Sequence, residues 1–86
     1  MRLDLYLRIT GVFKTRTIAV KACRSGFVTV NGAPAKTSSE VKEDDVIQAV
    51  RPDGSLLTYR VLKVPSGSQV PKKDRGEYIT VEGADS

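Results

Sequence analysis

Residues 15–32 read TRTIAVKACRSGFVTVNG, and within these eighteen positions the periodicity of the chain changes. Thr15 is suited to cap a helix running to about Arg24, and Gly26 supplies its stop. At 100° per residue, Ile18, Ala19, Ala22 and Cys23 form an apolar side. Lys14, Thr17, Lys21 and Arg24 share a sector on the other side that contains no acid, while Arg16 falls off it, near the apolar edge. After Gly26, residues 27–30 alternate as a strand does, and Asn31-Gly32 is a tight-turn pair. Residues 33–36 return as a short, irregular edge strand, because Pro34 has no amide hydrogen to give a ladder.

Working outward, residues 3–9 form a first short helix, with Leu3, Tyr6 and Leu7 at helical spacing and Gly11 ending it. Residues 37–45 are polar loop and residues 46–50 a strand. Pro52-Asp53-Gly54-Ser55 is a turn by composition. Residues 56–64 are the clearest strand, broken by Pro65-Ser66-Gly67-Ser68. Tyr6, Phe13 and Phe27 occupy positions that read as core, which leaves no exposed aromatic ladder for single-stranded bases. The expectation is an α+β fold, with two short N-terminal helices packed on a small, twisted, mainly antiparallel sheet. The domain runs over 1–64, with its core motif at 1–50. Residues 65–86 are a C-terminal tail, in which 78–81 offer a short edge strand or loose packing.

Eighty-six residues allow one domain. The sequence contains no histidine and a single cysteine, which removes the Ser-His and Cys-His nucleophile pairs, any disulfide framework and any multi-cysteine metal cage. Cys23, set among Ala and Val, reads as a small buried hydrophobe. No enzyme, cofactor or metal is expected. The apolar runs fall short of a membrane span and the first residues lack a signal peptide's apolar stretch, so a cytoplasmic protein without membrane contact is expected.

The net charge of +4 is unevenly placed. Residues 1–36 hold seven basic side chains against Asp4 alone, a net of +6, whereas residues 37–86 hold seven against nine acids, a net of −2. Concentrating the excess in one half is the electrostatic footprint of a polyanion-binding surface. Arginine and lysine on a rigid pair of helices suit a folded RNA, which is recognised largely through its shape, phosphates and 2′-hydroxyls.

Four elements follow in order: Arg2-Leu3-Asp4-x-Tyr6-Leu7, Thr15-Arg16-x-x-Ala19, Gly26-x-Val28-x-Val30-Asn31-Gly32 and Val41-x-x-x-Asp45-x-Ile47. In this order they resemble the S4-type RNA-binding domain, the alpha-L motif, over roughly residues 1–50. Asp44-Asp45 stands where that family usually has Gly-Asp, implying a slightly altered turn. The large catalytic domains to which this module is often appended have no counterpart here. Stand-alone members fall into two bacterial groups acting on the large ribosomal subunit, the longer fifteen-kilodalton heat-shock proteins and the quality-control factors P, of about this length.

The resemblance implies docking on ribosomal RNA of the large subunit and on tRNA or peptidyl-tRNA, on subunits blocked by a peptidyl-tRNA. Such a factor would act as a monomer in nascent-chain tailing or recycling, beside a tailing factor on the same subunit. The alternative is a general structured-RNA chaperone or regulator not confined to the ribosome. Arg2 and Arg16 match family positions that contact RNA; for Arg16 the other role is an ion pair with Asp4, which itself reads as structural. Lys14, Thr15, Lys21, Arg24 and Lys36 extend the RNA-binding set as phosphate-facing groups. Asn31 joins them as a turn residue whose neighbouring amides can approach a phosphate. Lys72, Lys73 and Arg75 are either a second RNA contact or a solubilising tail.

Overall fold

The computed structural model describes residues 1–67 and 70–85. Helix α1 spans Leu3–Ile9 and helix α2 spans Arg16–Arg24. Strands β1 (Val28–Val30), β2 (Ala33–Pro34), β3 (Val46–Val50), β4 (Leu56–Val61) and β5 (Ile79–Asp85) form one sheet, ordered β2-β1-β3-β4-β5. Every neighbouring pair is antiparallel. A 3-10 helix at Lys72–Glu77 leads into β5.

Helix α2 begins and ends where local chemistry directs. The hydroxyl of Thr15 accepts the amide of Ile18 at 3.2 Å, and Gly26 closes the far end at φ +79°. There the amide of Phe27 donates to the Ala22 carbonyl and that of Gly26 to Cys23, the hydrogen-bond pair typical of a glycine-terminated helix. Lys14 precedes the cap, so it lies off the helix and is not held in the sector with Thr17, Lys21 and Arg24, as helical spacing had placed it.

Leu3, Tyr6 and Leu7 are fully buried against Val28, Ile47 and Val61 of the sheet's inner face. The hydroxyl of Tyr6 donates to the carbonyl of Tyr78 at 2.7 Å, so this buried phenol is not left without a partner; burial pushes its pKa well above the usual phenol range. Cys23 is buried, and burial, reinforced by the charge of Asp4, pushes its thiol pKa up. An inert thiol follows.

The place of Phe27 and the bounds of β4 and β5 differ from the sequence expectations. Phe27 is 50% exposed rather than core. In β1 the alternation buries Val28, which puts Phe27 with Thr29 on the outer side. Strand β4 stops at Val61 rather than residue 64, because the amides of Leu62 and Lys63 both turn to the Tyr78 carbonyl. At Asp44-Asp45 the turn is carried by Asp44 itself, at φ +69°, in the left-handed region where a glycine is at ease. Strand β5 covers more of the C-terminal segment than residues 78–81 and pairs with β4 from Val61↔Ile79 to Leu56↔Asp85, across an irregularity at Thr58/Tyr59. Of the Pro65-Ser66-Gly67-Ser68 break, Ser68 lies outside the described residues.

Candidate nucleic-acid interface

The basic half of the chain is organised around one carboxylate. Asp4 sits in the first turn of α1, where a negative charge suits the helix dipole, and its side chain is 2% exposed. Its Oδ1 accepts the amide of Leu5 at 2.8 Å and Nε of Arg2 at 3.3 Å. Its Oδ2 accepts Nη2 of Arg2 at 3.4 Å and Nε of Arg16 at 3.3 Å. Burial pushes the Asp4 carboxyl up, but the hydrogen bonds from Arg16 and Leu5, with the charges of Arg16 and Arg2, outweigh it and hold its pKa below the usual value.

The two arginines reach Asp4 from different elements. Arg2 caps α1 with an extended backbone and forms an isolated antiparallel bridge with Glu40. The flanking bonds, Leu3 amide to Ser39 carbonyl and Val41 amide to Met1 carbonyl, bind the first residues to the loop that follows β2. Arg16 is the first residue of α2. That position explains why it stands off the basic sector: its side chain turns back toward α1 and Asp4. Both arginine side chains remain about half exposed, at 54% and 49%. Among the described residues Arg16 spends only Nε, on Asp4, so its two terminal nitrogens keep their donors for another acceptor. Two guanidiniums held by one buried carboxylate leave a local excess of one positive charge, with donor geometry fixed from behind.

The remaining predicted residues divide by place. Arg24, at the end of α2, and Lys36, after β2, face one shallow concavity of about 300 Å³ that Thr37 and Ser38 also line. Lys21 faces a different groove, with Phe27 and Arg51. Lys14, Lys21, Arg24 and Lys36 are exposed, and none has a carboxylate within ion-pair distance among the described residues. Thr15 gives its hydroxyl to the helix cap.

Asn31, at φ +53°, is spent on structure at both ends of its amide. Its Oδ1 accepts the Val46 amide at 2.9 Å and its Nδ2 donates to Asp45 at 3.1 Å. These bonds pin the β1–β2 turn to the start of β3. In the tail, Nε of Arg75 donates to the Ile9 carbonyl at 3.2 Å, where it meets the C-terminal end of α1, while Lys72 and Lys73 are exposed. Phe27 and Arg51 were missed as candidate surface groups: Arg51 lies in the near-neutral half of the chain, and only the fold brings it beside Lys21. The out-of-phase position of Phe27 relative to Val28 was the signal that would have exposed it.

Among the described residues no group of histidine, cysteine or carboxylate side chains could hold a metal, and no helix is long and apolar enough to cross a membrane.

Residues 1–47 match the model of the S4 domain family. Over 79 residues the chain is 40% identical to the RQC P-site tRNA stabilizing factor of Helicobacter pylori strain J99, covering 92% of this chain and 93% of that protein. Its fold matches the solution structure of the hypothetical protein HP1423 with a TM-score of 0.82 and 37% identity, over 96% of this chain and 98% of that one. It also matches the trimeric structure of Vibrio cholerae Heat Shock Protein 15, with a TM-score of 0.83 and 26% identity, over 94% and 80%. With a family model matched over more than half of its length and a relative covered nearly end to end, the chain belongs to the S4 domain family of RNA-binding proteins and is homologous to the RQC P-site tRNA stabilizing factors.

Proposed function

We propose that this chain is a binding factor of ribosome-associated quality control, docking on ribosomal RNA of the large subunit and on the tRNA of a stalled peptidyl-tRNA. The observation that carries the proposal is the pair of half-exposed arginines, Arg2 and Arg16, held on the buried carboxylate of Asp4. A guanidinium fixed in this way meets a phosphate with little further loss of side-chain entropy. Lys14, Lys21, Arg24 and Lys36 add phosphate contacts around the pair, with Thr15 and Asn31 beside them. The near full-length similarity to proteins named for stabilizing a P-site tRNA supports the ribosomal address. Such a factor works in the cytoplasm, as a monomer, and assists a tailing factor on the same particle without catalysing a reaction.

Sedimentation of cell extract tests the address. The wild-type chain is expected to travel with large subunits that retain peptidyl-tRNA, and a variant with both Arg2→Ala and Arg16→Ala to stay at the top of the gradient. A wild-type chain that never follows large subunits would overturn the proposal. Light scattering on the purified chain tests the single copy, and a trimer would revise it.

A further inference from the structure

A groove of about 340 Å³ opens between the end of α2 and the β3–β4 turn. Phe13, Ile18 and Ala22 contribute apolar lining, Phe27 presents an aromatic ring, and Lys21 and Arg51 bring cations from two distant parts of the chain. Among the described residues no carboxylate lines it. Asp53, adjacent to the groove, is instead turned onto Ser55, accepting its amide at 2.9 Å and its hydroxyl at 2.6 Å.

The backbone of Phe27 is held on both sides. Its amide donates to Ala22 and its carbonyl accepts the Val50 amide, both at 2.9 Å. A hydrophobic residue just beyond a glycine-terminated helix commonly packs on its last turn, and Ala22 of that turn lines the groove together with Phe27. Half of Phe27 remains exposed, though, at a cost that burial would have removed. The opposite wall is equally fixed, since the Arg51 carbonyl and amide close the β3–β4 turn through Gly54 and Ser55 at 2.8 Å each.

We infer that this groove receives one unpaired nucleotide of the bound RNA, its base stacked on Phe27 and its phosphate between Lys21 and Arg51. Aromatic stacking accepts any base because every base has a π face, and paired cations without a competing acid select a ligand carrying phosphate over an uncharged apolar one. The groove adjoins the basic side of α2 through Lys21, so an RNA held by the helices reaches it without leaving the surface. The inference rests on the RNA-binding function proposed above and adds to it a single-nucleotide site.

The test uses the full chain and two RNA hairpins, one fully paired and one with a single bulged 2-aminopurine nucleotide. The wild-type chain should bind the bulged hairpin about tenfold more tightly than the paired one, within the roughly fivefold to 150-fold span of base–aromatic stacking, and should quench the 2-aminopurine fluorescence. Phe27→Leu keeps an apolar cover over Ala22 and should retain the wild-type circular dichroism and thermal transition. It should bind the paired hairpin normally and lose both the preference and the quenching. Arg51→Ala should lose severalfold in affinity for the bulged hairpin alone. If wild type and Phe27→Leu bind and quench alike, the site is overturned while RNA binding stands, and the groove is left to a protein partner. Failure of the wild-type chain to bind either hairpin would overturn both proposals.

Discussion

Arg16, the first residue of α2, places its Nε 3.3 Å from Oδ2 of Asp4, a carboxylate in the first turn of α1 that is 2% exposed. The bond spans twelve residues of sequence and joins the two helices at the point where their basic surface begins. Because the carboxylate is buried and the guanidinium half exposed, Asp4 orients a charge for use outside the fold.

Replacing Asp4 therefore separates orientation from charge. Asp4→Asn raises the net charge by one, and attraction by charge alone would strengthen RNA binding. Loss of the anchor for both Arg2 and Arg16 should instead weaken it, by about three- to tenfold, with a stability cost of about 1–3 kcal/mol because their partial exposure lets water replace the lost bonds. Binding isotherms and urea unfolding on one preparation check both; tighter binding would show that orientation contributes nothing.

Arg16→Ala and Arg2→Ala should each lower RNA affinity and reduce the slope of log affinity against log salt by about one. The fold should persist, since Asp4 keeps one arginine and the Leu5 amide. Lys63→Ala, at an exposed residue with its Nζ 6.0 Å from the Tyr78 ring centroid, is the control and should change little. Titration at several salt concentrations separates them, and equal effects from all three would make the binding surface diffuse.

Acid should remove a definite part of the stability. The folded-state pKa of Asp4 lies below its unfolded value of 3.8, so the unfolded chain takes up that proton first. The contribution is present above pH 3.8 and is lost as pH falls through the depressed folded value. Urea unfolding of wild type from pH 6 to 2 should show this loss, and Asp4→Asn, which does not titrate there, should show a shallower acid limb. Parallel curves for the two proteins would place the acid sensitivity elsewhere.

Asp44 offers a test of backbone conformation. At φ +69° a side chain is strained, less so for Asp than for Ala. Asp44→Ala should cost about 1 kcal/mol, and Asp44→Gly should be neutral or stabilise by up to about 1 kcal/mol. Thermal unfolding of the two variants gives the sign; a stabilising alanine would contradict the left-handed assignment.

Gly11 makes the converse case. It sits at φ +81°, and a Cβ there would lie 2.7 Å from Nη1 of Arg75. Arginine's flexible end can move aside, so the backbone should dominate the roughly 1–2 kcal/mol cost of Gly11→Ala. If so, Arg75→Ala will not rescue it. A double-mutant cycle in urea reads the coupling, and a rescue above about 1 kcal/mol would make the Arg75 contact the stronger term.

What could be read from the chain alone was local. The spacing of Leu3, Tyr6 and Leu7, the Thr15 cap, the glycines at 11 and 26 and the Asn31-Gly32 turn each act within a few residues. Their signals place both helices at their observed bounds and the first hairpin where it stands. The excess of positive charge before residue 37 and the order of the four motif elements were equally visible. Tertiary structure decided how those charges are held and what lies beside them. It brought Arg2 and Arg16 onto one carboxylate, used the amide of Asn31 to fasten β3, and set Arg51 beside Lys21 across a groove edged by Phe27. Helical and strand periods record only which side of an element a residue faces. Which other element faces it depends on packing between residues far apart in sequence, and a one-residue difference of phase in β1 was enough to carry Phe27 from the core to the surface.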